Sequence, residues 1–528
     1  MLCKLCRLAA RASLFIVTLS TLLTDDALAF TDLPMRLSRG QFESANDQRA
    51  FEKSVSNALS GTVRLVNPAD DPVNGDGEGG DYFGSSVAIS GETALVGAKQ
   101  NRHALSSALG SAYVFVRSGG QWALQATLVA PDGEFNDQFG SAVALSGDTA
   151  VISAPGTPQG GAAYVFVRSA QTWNMQAKLV GADTAWAHRF GWDVAVDGDL
   201  VVVGAPERNA GNLFFTGTAY VFARNGTQWA QQDQLFAPTA VEFSHFGHSV
   251  AISGGSLIVG APNGGGVGSA HVFVQMGADW IWQSTLPAPG GEADDKFGSS
   301  VAISGNTAAV GARLDDTDTF ADIGSVSTYV RSGSTWTWQA KLTPGDGSNF
   351  HEFGHDIALS GNTLVAGSHY FSSPSQSTKR GAAYIYVSGG STWTLQGRVQ
   401  PADVDGGDEF GTSVAISGES LLAGAPFDDT IAGNSAGTAG VFVRNSGVWT
   451  QQAQLSAGNG AAEHRFGLSV SLSGTTALVG APSADAPTAV NAGAVYVFVR
   501  NGSAWTQQAR LTATDAEGGH WWNGVRGP

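Results

Sequence analysis

Three short patterns in this chain carry residue types that do chemistry. His351-Glu352-Phe353-Gly354-His355 matches HExxH, in which one helix face offers two imidazoles to zinc and a glutamate activates water. Gly75-Asp76-Gly77-Glu78-Gly79-Gly80 matches GxGxxG, which cradles a dinucleotide phosphate when it joins a strand to a helix. Cys3 and Cys6 form a CxxC, a spacing used for redox work or for metal. Each pattern works only on the right element, so the elements decide. The chain contains no Walker loop.

The elements are set by a repeat, and a repeat is settled before any local motif is interpreted. A Phe-Gly pair begins at Phe83, Phe139, Phe190, Phe246, Phe297, Phe353, Phe410 and Phe466. Fourteen residues after each Phe stands a small-residue step, at Gly97, Ser153, Gly204, Gly260, Gly311, Gly367, Gly424 and Gly480. Five steps end in Pro: Pro155, Pro206, Pro262, Pro426 and Pro482. A further Gly opens a third apolar run, and twelve residues later comes a Trp each time, from Trp122 to Trp505. Between Phe-Gly and step lie two short runs joined by a turn such as Ser146-Gly147-Asp148, which reads as a β-hairpin. Only the segment between second and third runs varies, giving periods of 51, 56 or 57 residues.

These units resemble FG-GAP repeats, the blades of the β-propeller at the head of integrin α chains, and more closely the FG-GAP repeats of bacterial exported proteins. The resemblance covers residues 83 to 512 and implies an all-β propeller of four-stranded antiparallel blades. Integrin-like propellers have seven blades. Here eight complete units share all their spacings, so eight blades are expected, with seven plus an appended unit as the alternative. Closure is expected by pairing of the 62–66 segment, Thr62-Val63-Arg64-Leu65-Val66, or of 505–512 onto the last blade. The Phe should plug the wedge between blades, its Gly should allow close backbone approach, and the Trp should cover the next blade with its N–H near water.

That architecture disposes of the motifs. HExxH straddles a Phe-Gly and enters a strand, where its two His would stand roughly 13 Å apart, so it reads as an accident of the repeat. GxGxxG has no helix behind it and reads as a flexible acidic loop. Both cysteines fall in residues 1–29, whose basic front (Lys4, Arg7, Arg11), apolar stretch and Ala27-Leu28-Ala29 read as a signal peptide. Cleavage would leave no disulfide and no thiol, and the chain would carry no later membrane span. Residues 30–61 form a polar segment with a possible short helix, residues 62–512 the propeller, and 513–528 an irregular tail.

The resemblance also raises calcium, which integrin blades bind in an Asp-x-Asp-x-Asp-Gly loop between their first two strands. The corresponding turns here, such as Ser90-Gly91-Glu92 and Asp197-Gly198-Asp199, are too short to wrap six to eight oxygens. Acidic loops elsewhere (Asp315, Asp316, Asp318 with Asp322; Asp403, Asp405 with Asp408; Asp428, Asp429) read as solvated carboxylates, with weak calcium binding as the alternative. No catalytic, cofactor-binding or metal residue is assigned. First strands offer small residues to the channel, with only Asp193 and Asp356 standing out, which disfavours a hydrolase or lyase. A net charge of −17 disfavours nucleic acid. The expectation is a monomeric, secreted or cell-surface, non-enzymatic binding or adhesion module for a protein or carbohydrate ligand. Its contacts would come from acidic loops on one face. A structural surface scaffold is the alternative.

Overall fold

In each unit the first run alternates small and branched residues, the second is apolar throughout, and the outermost alternates polar and apolar positions. Those patterns suit, in order, a channel-lining strand, a strand covered on both faces and a half-exposed edge. The computed structural model describes residues 80–101, 109–346, 349–372, 379–485 and 491–513. The first blade is β1 (Phe83–Ser90), β2 (Thr93–Ala98), β3 (Ser111–Ser118) and β4 (Gln121–Leu128), paired in that order and antiparallel throughout. Seven more four-stranded sheets repeat the order. The last consists of Ser469–Ser473, Thr476–Ala481, Ala494–Asn501 and Ala504–Leu511. First strands of successive blades abut one another all the way round, including the last against β1, so the ring closes with eight blades. The appended-unit alternative is excluded. Among the described residues no helix is long and apolar enough to cross a membrane.

The eighth blade takes its fourth strand from 504–511, the second of the two expected closures. The 62–66 segment lies outside the described residues, as do the leader, the 30–61 segment, most of the GxGxxG loop and residues 514–528. Seven of the eight seams hold a parallel bridge between the Gly that opens a third strand and the Phe of the next blade, as at Gly110↔Phe139, and at the other the Phe466 amide donates to the Ala436 carbonyl. Phe83↔Gly493 closes the circle.

Burial follows the seams. Phe139 is fully buried between Leu95 and Val114 of blade one and Tyr164 and Phe166 of blade two. Its ring centroid lies 5.3 Å from Tyr164 and 6.4 Å from Phe166. Gly140 sits at φ +94°, and a Cβ there would lie 2.5 Å from the Ser111 carbonyl. Only glycine allows that approach. The Trp differs from expectation twice. Trp173 covers the preceding blade, and its Nε1 donates to Gln125 of that blade at 2.7 Å instead of facing water. The same rung recurs at Trp229, Trp280, Trp336, Trp393, Trp449 and Trp505. At the seam where the chain ends meet, Trp122 and Gln508 stand in the equivalent places without bonding. A buried indole N–H seeks an acceptor, and the outer strand of the neighbour supplies one.

Candidate functional site

In a four-strand meander the β4-to-next-blade connections and the β2–β3 loops emerge on one face. The other face carries the tight turns. The tight-turn face is occupied structurally: the Ser90 hydroxyl accepts from the Gly147 amide of the next blade at 3.1 Å, and Ser146, Ser253, Ser304 and Ser417 do the same. The opposite face differs. The residue before each Phe lies in the left-handed region in all eight blades: Tyr82, Gln138, Arg189, His245, Lys296, Glu352, Glu409 and Arg465, with φ between +49° and +62°. A side chain there costs on the order of 1–2 kcal/mol that glycine would avoid. None of the eight is glycine, and their chemistry differs at every seam but two pairs.

The residue one place earlier is instead structural, and it is buried in every blade but the third, where His188 is half-buried. Asp137, Asp295 and Asp408 accept the amides of Glu134, Glu292 and Asp405, and His188 and His464 use Nδ1 for the same bond to Ala185 and Ala461. His351 belongs to this series. It is buried, packs on Phe371 at 4.8 Å between centroids, and its Nε2 bonds Ser372. The first His of the HExxH pattern is therefore a loop brace.

Blades three to five enclose a cavity of about 320 Å³ on this face. Its walls are residues before the Phe (His245, Lys296), residues after the Gly (Trp192, His248, Ser299), and residues after the small step (Glu207, Asn263, Arg313). Arg313 leads into blade six, where its Nη1 meets Glu352 Oε2 at 2.8 Å. There Glu352, His355 and His369 bring one ligand atom each to within 4.8 Å of one another. The His355 and His369 rings lie 4.2 Å apart between centroids, and Nδ1 of each is buried with no hydrogen-bond partner. Burial holds the His355 imidazole below its ordinary range. Burial, then His355, Arg313 and Lys379, push His369 down to about 3. Both rings are neutral near pH 7, the form that ligates metal.

The HExxH pattern thus splits. Glu352 and His355 do share a site, but the second imidazole is His369, which replaces the step proline found in five blades. The signal was present in the unit whose step reads Gly367-Ser368-His369. Pairing across a hairpin is not visible in a linear pattern. Asp193 and Asp356 line no open site. Each is half-buried and accepts a backbone amide from the next blade, Val250 and Val414, at 2.8 Å. Burial still pushes both carboxyls up to about 6. Several carboxylates of the acidic loops turn inward. Asp315 pairs with Lys341 at 2.7 Å while only 2% exposed, Asp428 bonds Thr438, and Asp408 braces its own loop. Among the described residues, the Glu352 group is the one that brings three acidic or imidazole side chains within reach of a single cation.

A family model described as FG-GAP repeat matches the chain eight times, over residues 73–115, 122–166, 173–222, 229–273, 280–330, 336–386, 393–442 and 449–498. No curated protein matches it. Among solved structures, the chain is similar to Sqt1 of Saccharomyces cerevisiae, at 10% identity and a TM-score of 0.47, over 83% of this chain and 97% of that one. It is also similar to a putative 6-phosphogluconolactonase from Bacteroides uniformis, at 14% identity and a TM-score of 0.44, over 70% and 98%. Eight matched units, equal in number to the eight observed blades and covering most of the chain, place it in the FG-GAP repeat family.

Proposed function

We propose that this protein is an exported, non-enzymatic propeller that binds a protein or glycan on the face bearing the blade-to-blade connections. The carrying observation is the ring of eight left-handed, non-glycine residues on that face, held in one geometry with differing side chains. Strain that the fold could shed by using glycine is retained where a side chain is presented. Two features support the same face. Its connections expose aromatic rings, Phe135 at 69% and Trp186 at 81% among them, which suit stacking on a sugar or anchoring in a protein pocket. Its cavity joins apolar Trp192 to Lys296, Arg313, Glu207 and two histidines, a small set of polar groups around an aromatic floor. The acidic-loop picture is thereby modified, since the contact chemistry is mixed rather than acidic.

Residues 1–29 act as the leader in this reading, the ring follows 30–61, and the mature protein is monomeric and sits outside the cell or at its surface. The test is a glycan array and a cell-binding screen on secreted material, with intact mass showing a start at Phe30. A rim variant (Trp186→Ala, His245→Ala, Lys296→Ala) should lose the bound ligand. A variant on the other face (Glu92→Ala, Asp148→Ala) should keep it. Equal binding by both variants would remove the ligand from this face.

A further inference from the structure

Three side chains from one blade converge beside the cavity without a structural reason to do so. In place of His355 other blades carry serine, tryptophan, threonine, leucine or, in blade four, histidine, and in place of His369 proline, lysine or arginine, so neither imidazole is required by the ring. Leaving two buried imidazole nitrogens unbonded is costly. His464 and His188 avoid it by bonding amides, and His248, whose Nδ1 is also buried without a hydrogen bond, belongs to no group of three ligating side chains among the described residues. We propose that Glu352, His355 and His369 form a divalent transition-metal site, taking Zn²⁺ or a similar ion.

The donor set favours that class. Two imidazole nitrogens and one carboxylate oxygen match zinc and its first-row neighbours, whereas calcium takes six to eight oxygens. Three protein ligands leave a position for water or for a group on a bound ligand. Arg313 takes Oε2 of Glu352, which orients the carboxylate and leaves Oε1 for the ion. Two cations stand close, Arg313 and Lys379, the latter 3.5 Å from the centre of the Tyr370 ring beside His369. Glu352 and Glu409 offset them in charge. The surroundings are balanced rather than repulsive, and an ion held there would face the cavity that Arg313 also lines. The site is independent of which macromolecule the rim binds.

Untagged secreted protein is titrated with Co²⁺, followed by its visible absorption, and with Zn²⁺ in competition with a chromophoric chelator. One ion per chain is expected, with imidazole-type Co²⁺ bands. His369→Pro installs the residue five other blades carry, and His355→Ser the residue of blades one, two and five. Each is expected to keep the circular dichroism spectrum and thermal midpoint and to weaken binding about tenfold or more. His188→Gln, a loop brace of blade three, should leave affinity unchanged. Absence of one-to-one binding, or unchanged affinity in either folded variant, would overturn the site.

Discussion

Replacing Asp193 and Asp356 by serine should stabilise this protein near neutral pH, although each substitution removes a carboxylate that makes two backbone hydrogen bonds. Both residues are half-buried, and desolvation outweighs the amides of Val194 and Val250, or of Ile357 and Val414, in pushing their carboxyls up to about 6 against 3.8 for a free side chain. A folded-state value above the unfolded one means that the native protein holds its proton more tightly. Stability from this group is therefore present at low pH and lost as pH rises from about 4 through 6. At 1.36 kcal/mol per pH unit, the ionised folded state carries a penalty of about 3 kcal/mol per site above pH 7, and about half of that at pH 5. Serine occupies the same place in five blades (Ser86, Ser249, Ser300, Ser413 and Ser469) and keeps a rung across the seam. Ser413 accepts from Val470 at 3.2 Å as Asp356 accepts from Val414, and Ser86 donates to the Gly140 carbonyl at 2.9 Å. Urea unfolding of wild type, both single variants and the double variant at pH 5 and pH 8 reads the effect. The variants should gain more at pH 8 than at pH 5, by about 1–2 kcal/mol per site. A gain independent of pH, or a loss at pH 8, would refute the reasoning.

Two further predictions concern the seams. Gln283→Ala removes the acceptor of Trp336 Nε1 at 2.7 Å and should cost about 1–3 kcal/mol in thermal unfolding. Gln508→Ala should cost almost nothing, because Gln508 and Trp122 stand at the closing seam without that bond. Gly140→Ala, at φ +94° with its Cβ 2.5 Å from a neighbouring carbonyl, should destabilise by at least about 3 kcal/mol. Gly91→Ala, in an open turn at φ +57° with nothing within 4 Å, should cost only about 1 kcal/mol by the same measurement.

The ring was legible because its constraints fall on side chains of one kind. Phe83 and its seven equivalents fill a wedge of fixed size, Gly140 and its equivalents meet a carbonyl, and neither place tolerates another residue. Such positions repeat visibly, and their number gives the blade count. The Trp rung was half legible: the large side chain stood out at every unit, but its acceptor, a glutamine three places after the preceding Trp, looked like one more polar outer residue. The candidate site was harder to see. His355 follows a Phe-Gly and His369 ends a small step, and only the hairpin between them turns a fourteen-residue separation into contact. His351, which completed a familiar pattern on paper, was drawn inward by the loop that Asp or His braces in nearly every blade.

The division between these positions explains where specificity can reside. In each connection one largely buried residue braces the loop, the next stands in a left-handed conformation, half-buried in seven blades and exposed at Arg189, and the next two are Phe and Gly. The brace, the Phe and the Gly answer to the fold, and their chemistry hardly varies. The left-handed residue answers only to a backbone angle, which any side chain can meet at the same modest cost. Variation can therefore accumulate there, and at the neighbouring places after Gly and after the small step, without disturbing a seam. In blades one, two, seven and eight the place after Gly holds Ser85, Ser141, Thr412 and Leu468, small or apolar residues. In blades three, four and six it holds Trp192, His248 and His355, and these flank the cavity or the metal-type cluster. Departures from the repeat are thus concentrated on one arc of one face. A symmetric scaffold protein has no need of such an arc, and a protein that recognises a single ligand does.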